Sequence, residues 1–482
     1  MANNLRDKSV KGMIWVSAER FATQGFQFII GIIIARILSP SDFGIVGMLA
    51  IFMAIAQAFL DSGFANALIQ KKNRTETDYS TVFYFNIVIS LFLYGILYIV
   101  APYIAEFYDI EILKDITRVT SLTLIINGLS IVQTAKLSID LDFATQAKAS
   151  ICSVIAGGIT GIYMAYNGYG VWSLVFSGLM GAFIRTMLLW IISKWRPLMV
   201  FSMNSLNELF SFGSKLLCSG MINTIYQNIY SIVIGKAFGA ADVGFFNRGK
   251  QFATIPTDTF TSIIIKVNYP VLSSLQDDDE KLLNAYKKLL RVPLFLLFPL
   301  LIGIAAAAQP LVHVVLGEKW LPCVSVLQIL SLGCLWSPMT HTNLNLLYVK
   351  GRSDLVLKLE LIKKPIAFAL LFAMIPFGIV WMCVGRAVYF LIAFYLNCYY
   401  TDKLMHYGFM RQIKEVFPIL VGSTIMAVAI VVTINLLNNP YTQLVISTTI
   451  GLITYLSYSY ITKDESLKDL YIIICQKIRN RK

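Results

Sequence analysis

The stretch Ala35-Arg36-Ile37-Leu38-Ser39-Pro40-Ser41-Asp42-Phe43-Gly44 decides how this chain is read. An apolar segment that begins near residue 12 ends there in a small residue and a cation. The chain then turns and restarts at Asp-x-Gly. The same frame returns as Gly235-Lys236 followed by Asp242-Val243-Gly244, 200 positions later. One spacing used twice marks an internal repeat. In a membrane chain it predicts two related halves with a shared site.

Composition supports a membrane chain. Of 482 residues, 57% are hydrophobic and 14% are charged, and the mean hydropathy is +0.69. Soluble domains carry about 25% charged residues. Apolar runs of about 20 residues, long enough to cross a bilayer as helices, recur from end to end. A β-barrel would show alternating segments of about 10 residues instead. The predicted fold class is therefore an all-α polytopic membrane protein with about fourteen transmembrane helices.

The repeat starts at spans 1 and 7. An even separation preserves orientation, so the two lobes are expected to be related in parallel. Residues 1–200 form the first lobe (spans 1–6) and 201–405 the second (spans 7–12). Residues 406–482 add two spans and a basic tail.

The net charge is +13. Most cations fall in segments that alternate between spans, among them Lys71, Lys72, Arg74, Lys194, Arg196, Lys350 and Arg352. That asymmetry places both termini in the cytoplasm and makes a nucleic-acid partner an unnecessary explanation. Asp277–Glu280 opens a segment with cations near its end, and residues 468–482 form a second amphipathic piece. Both read as cytoplasmic surface helices. Seven scattered cysteines and three distant histidines give no metal motif.

Charge inside a span costs about 2.5–3.5 kcal/mol per residue, so polar residues there need a cavity, a partner or a function. In span 1, Ser17, Arg20, Gln24, Gln27 and Gly31 step by three or four and share one helix face. Lys215, Ser219, Asn223 and Tyr230 repeat the stripe in span 7, and Arg248, Gln251, Asp258, Ser262 and Lys266 in span 8. Lys250 lies beside that last stripe, and Arg386 lies within span 12.

These stripes are expected to line a common aqueous cavity between the lobes. Its charge excess is cationic, from Arg20, Lys215, Arg248, Lys250, Lys266 and Arg386. A cationic cavity suits an anion such as a phosphate, and Gln24 and Gln27 suit sugar hydroxyls. Lys215 and Lys266 lie toward the inner ends, where snorkelling is the alternative. Arg20 has Glu19 or Asp61 as a neutralising alternative. Asp61 and Asp258 are candidates for a coupling proton or sodium ion, or for plain ion pairs. No nucleotide loop, catalytic acidic cluster or large cytoplasmic domain is present to suggest an enzyme, and no cofactor is implied.

The signature turns (Arg36, Pro40, Asp42 and Gly44, then Asp242 and Gly244) resemble those of bacterial polysaccharide exporters of the Wzx, colanic-acid-exporter type. So do Ala67-Leu68-Ile69-Gln70-Lys71-Lys72, Gly168-Tyr169-Gly170-Val171-Trp172 and Gly244-Phe245-Phe246-Asn247-Arg248. The resemblance implies membership of the superfamily that also holds multidrug antiporters and the peptidoglycan-precursor flippase. It implies transport, by alternating access, of undecaprenyl-diphosphate-linked oligosaccharide from the inner to the outer leaflet of the bacterial plasma membrane. The implied partners are that lipid-linked substrate, membrane lipids, and a polysaccharide polymerase with other assembly proteins. A lipid II flippase and a proton- or sodium-coupled multidrug antiporter are the alternatives.

Overall fold

In the computed structural model the backbone is described for residues 2–61 and 64–468. Side chains are described there except at 2–14, 17, 66, 210–220, 222, 223, 263, 266 and 267. Of the expected surface helix of residues 468–482, all but Lys468 falls outside the described residues.

The order begins α1 (Ala2–Ile37), α2 (Pro40–Asp61), α3 (Phe64–Gln70) and α4 (Glu76–Tyr108). Three short helices follow, α5 (Ile112–Thr120), α6 (Leu122–Gly128) and α7 (Ile131–Ile139). Then come α8 (Phe143–Tyr166), α9 (Trp172–Ser193), α10 (Met203–Phe238), α11 (Ala240–Ser273) and α12 (Asp279–Ala306). The last part holds α13 (Ala308–Val315), α14 (Cys323–Cys334), α15 (Ser337–Val349), α16 (Ser353–Met374), α17 (Ile379–Met405), α18 (Phe409–Leu436) and α19 (Pro440–Ile461). The all-α membrane architecture is as read from the sequence.

Among the described residues ten helical segments are long and apolar enough to cross a membrane. The long helices outside those ten are α1, α10, α11 and α16. They bear Arg20, Lys215, Lys250 with Asp258, and Lys363 respectively.

The chain forms two compact units, Met1–Gly244 and Phe245–Lys482, and the boundary falls inside α11. In the first unit α8 packs on α9 and α1, and α10 packs on α2. Its local starts are written in the sequence. Thr75 caps α4: its hydroxyl accepts from the Asp78 N–H at 3.2 Å, and Asp78 Oδ2 accepts from the Thr75 N–H at 2.9 Å. Lys71 then bridges Asp78 (3.1 Å) and Glu208 (2.8 Å), tying the end of α3 to α10. The bond to Glu208 and that to Asp78 hold the Lys71 amine above the ordinary lysine range.

In the second unit α12 packs on α18, and α14 and α16 pack on α17. The segment after Asp277 is not a separate surface helix. Asp278 caps α12, accepting from the Lys281 N–H at 3.0 Å, and the helix runs unbroken to Ala306. Leu282, Tyr286, Leu290, Leu294 and Leu301 keep one buried stripe along it, so packing within the unit holds its first turns.

A buried amide pair ties three helices of this unit. Asn343 Nδ2 donates to Gln412 Oε1 (3.0 Å), Gln412 Nε2 donates to Asn343 Oδ1 (2.9 Å), and the Thr401 hydroxyl adds a bond to Asn343 Oδ1 (2.6 Å). Asn343→Leu leaves Gln412 and Thr401 without these bonds. It is expected to cost about 1–3 kcal/mol, read as a lower thermal unfolding midpoint of the purified protein. An unchanged midpoint would mean that the pair contributes nothing net.

Candidate functional site

The two signature turns meet. At the first, Ser39 caps α2 and Pro40 takes the first helical position. Asp42 Oδ2 accepts from the Ser39 N–H (2.9 Å) and hydroxyl (2.6 Å), while the Asp42 N–H donates to Ser39 Oγ (3.2 Å). At the second, Gly239 takes φ 101°, a conformation that favours glycine, and α11 starts at Ala240.

A Cβ on Gly44 would lie 1.6 Å from the Ala240 carbonyl oxygen, and one on Gly244 would lie 2.1 Å from that of Pro40. Each repeated glycine therefore faces the helix start of the other copy, backbone to backbone. Lys236 Nζ reaches Asp109 Oδ2 at 3.2 Å on the same face of this unit.

The polar stripe of α1 holds Arg20 and Gln27 exposed and Gln24 half-buried. No ion pair of Arg20 is found among the described residues. On α2, exposed Asp61 accepts from Gln57 Nε2 (2.9 Å), and Gln57 Oε1 accepts from Asn127 Nδ2 of α6 (3.1 Å). The charge of Arg185 on α9 also acts on Asp61. Sequence reading missed Asn127, which lies in an apolar segment with no periodic signal to mark it.

In the second unit Arg248 and Lys250 have different neighbours. Arg248 is 8% exposed. Its Nη1 donates to Gln251 Oε1 at 2.6 Å, and its guanidinium lies 5.9 Å from the centroid of the fully buried Trp320 ring. Trp320 was not singled out from sequence, because a single Trp beyond a span carries no facing information.

Lys250, two residues on, points to a different face, since consecutive helical positions turn by about 100°. It feels the charges of Arg386 on α17 and Asp258 on α11, and Cys334 at the end of α14 feels all three. Two glycines allow that convergence. A Cβ on Gly249 would lie 3.0 Å from the Leu327 N of α14, and one on Gly333 would lie 2.9 Å from the Ala387 Cα of α17. Arg386 also lies 5.7 Å over the Phe390 ring. The side chains of Lys215 and Lys266 fall outside the described residues.

Span-length helices that carry cations and carboxylates along their length are the pattern of a membrane transporter. Its fold is similar to that of the lipid II flippase MurJ in an inward closed conformation, with a TM-score of 0.79 at 16% identity over 95% of this chain and all of that one. At that identity the likeness concerns the fold. The chain belongs to the family described as "Polysaccharide biosynthesis protein", which it matches over residues 33–325. Relatives include the teichuronic acid biosynthesis protein TuaB of Bacillus subtilis, 28% identical over 72% of each chain. Another is the lipopolysaccharide biosynthesis protein WzxC of Escherichia coli, 25% identical over 75% of this chain and 74% of its own. The Wzx-type resemblance carried by the signature turns is thus confirmed.

Proposed function

We propose that this protein flips a lipid-diphosphate-linked oligosaccharide, an undecaprenyl-linked repeat unit of a bacterial surface polysaccharide, from the inner to the outer leaflet by alternating access. The reading is carried by membership of the polysaccharide biosynthesis family, supported by two cations, Lys250 and Arg386, beside the glycine contacts that pack α11 and α17 on α14. Two cations on neighbouring helices suit a diphosphate through charge-assisted hydrogen bonds. Arg248, clamped by Gln251 and Trp320, is the third candidate ligand. Arg20, Gln24 and Gln27 are assigned to the sugar head group, and Lys215 and Lys266 to the same cationic set on sequence grounds.

Asp61 and Asp258 are the carboxylates available to a coupling ion. The chain acts as a transporter without a cofactor and not as an enzyme. It sits in the bacterial inner membrane with both termini cytoplasmic, and works beside the polymerase and other assembly proteins. The MurJ-like fold gives the peptidoglycan precursor as the second reading, since that cargo is also a lipid diphosphate.

The test compares transport by the wild type with that by Arg386→Met and Lys250→Met in proteoliposomes at equal protein level. Each lost charged hydrogen bond is worth about 1.5–3 kcal/mol, so each variant is expected to lose about 10- to 100-fold in rate at low substrate. Wild-type rates in both would remove this cluster from the substrate site.

A further inference from the structure

We propose that the strap linking α9 to α10, residues 194–202, is an interfacial anchor. Lys194 and Arg196 take the phosphates of anionic lipid headgroups, and Leu198, Met199, Val200 and Phe201 sit among the upper acyl chains. The inference does not depend on the identity of the cargo.

Three observations carry it. First, the strap turns its apolar side chains outward. Lys194-Trp195-Arg196-Pro197-Leu198-Met199-Val200-Phe201-Ser202 places two cations before four consecutive large apolar residues. All four are exposed, Met199 by 98% and Phe201 by 53%, and Met203 at the start of α10 is exposed as well. Single exposed apolar residues are ordinary, whereas a contiguous run marks a surface that meets something apolar.

Second, the strap is fixed, and its backbone is satisfied from within. Trp195 is buried in the cluster of Phe64, Tyr79, Val82 and Phe83, and its Nε1 donates to Glu76 Oε2 at 2.7 Å. The Leu198 N–H donates to Ser80 Oγ at 2.9 Å, and the Ser202 N–H donates to Thr81 Oγ1 at 3.1 Å. Between them the Val200 N–H donates to the Leu198 carbonyl at 2.8 Å. A segment in water has no need of such bonds. Near hydrocarbon an unpaired N–H is costly, and irregular backbone is tolerated only where its polar groups find partners.

Third, place and charge match a lipid surface. α9 is a span-length helix that ends at Ser193, and Ile191 and Ile192 in its last turn are exposed. Met199 follows Ser193 by at most about 20 Å of extended chain, so the strap continues the apolar surface of a span at the level where that span ends. Lys194 and Arg196 are exposed, and among the described residues neither pairs with a carboxylate. Arg196 lies 5.2 Å over the Trp190 ring and donates to the Trp190 and Trp195 carbonyls, which holds it at the end of α9. Cations beside an apolar run fit anionic headgroups above acyl chains. In the topology proposed above this is the cytoplasmic surface. Held there, the strap fixes the depth at which α10 begins.

The experiment uses the full chain with Met199→Trp in phosphatidylcholine nanodiscs, with the emission of the wild type subtracted. Brominated acyl chains quench from within the bilayer, and acrylamide quenches from water. The inference predicts that brominated lipid removes most of the added emission and that acrylamide removes little. Replacing part of the phosphatidylcholine by phosphatidylglycerol should deepen the quenching by bromine, and Lys194→Gln/Arg196→Gln should cancel that gain.

Quenching by acrylamide and not by brominated lipid overturns the inference, because the apolar run then stands in water as a surface for a soluble protein. Quenching by bromine that is the same with and without phosphatidylglycerol overturns the assignment of Lys194 and Arg196 to anionic headgroups.

Discussion

A Gly44→Ala protein is expected to lose both stability and transport. The added carbon would sit 1.6 Å from the carbonyl oxygen of Ala240, a position no neighbour can accommodate by turning a side chain. The start of α2 must move away from the start of α11, at a cost of about 1–3 kcal/mol as for other overpacked sites. Gly244→Ala should act alike, because its own Cβ would meet the Pro40 carbonyl at 2.1 Å. Gly95→Ala is the control, since a Cβ there meets nothing within 4 Å. The measurements are the thermal unfolding midpoint and the transport rate at matched protein level. Gly44→Ala should lower the midpoint and cut transport at least about tenfold, with Gly95→Ala unchanged or slightly stabilised. Equal behaviour of the two would mean that the contact of the signature turns is dispensable.

Arg291→Met carries the second large effect. Arg291 on α12 meets Asp464 beyond α19 (3.1 Å) and Glu415 on α18 (3.2 Å), with Arg291 18% and Asp464 5% exposed. Nearby, the Tyr455 hydroxyl donates to the Phe295 carbonyl at 2.8 Å. Removing the guanidinium leaves a buried carboxylate without its cation, which costs about 3–5 kcal/mol. The loss should appear as faster hydrogen exchange in α18 and α19 together with a lower unfolding midpoint. Adding Asp464→Asn to the variant should restore part of it, because the uncompensated charge is then gone. Exchange in α18 and α19 unaltered by Arg291→Met would show that apolar packing alone holds these helices.

The sequence carried the helix class and the signature turns, because each depends on spacing along the chain. The Ser39-Pro40-Ser41-Asp42 start was legible for the same reason. What required coordinates was contact between segments far apart in the chain. Nothing in a linear reading says that Gly44 meets Ala240 or that Gly244 meets Pro40. The segment after Asp277 was divided from the span that follows it because its first turns are charged. The apolar stripe from Leu282 to Leu301 crosses that division and makes one helix. The positions of Asn127 and Trp320 became visible only through their partners, Gln57 and Arg248.

The central claim is that this chain moves a lipid-linked glycan. It is tested most directly with the purified full chain reconstituted in liposomes whose inner leaflet carries an undecaprenyl-diphosphate-linked oligosaccharide, with a lectin or glycosidase added outside to report arrival. The account predicts that protein-containing liposomes expose the glycan and that protein-free liposomes, and those bearing Lys250→Met/Arg386→Met, do not. Absence of exposure with the wild type, together with uptake of an organic cation under a proton or sodium gradient, would contradict it.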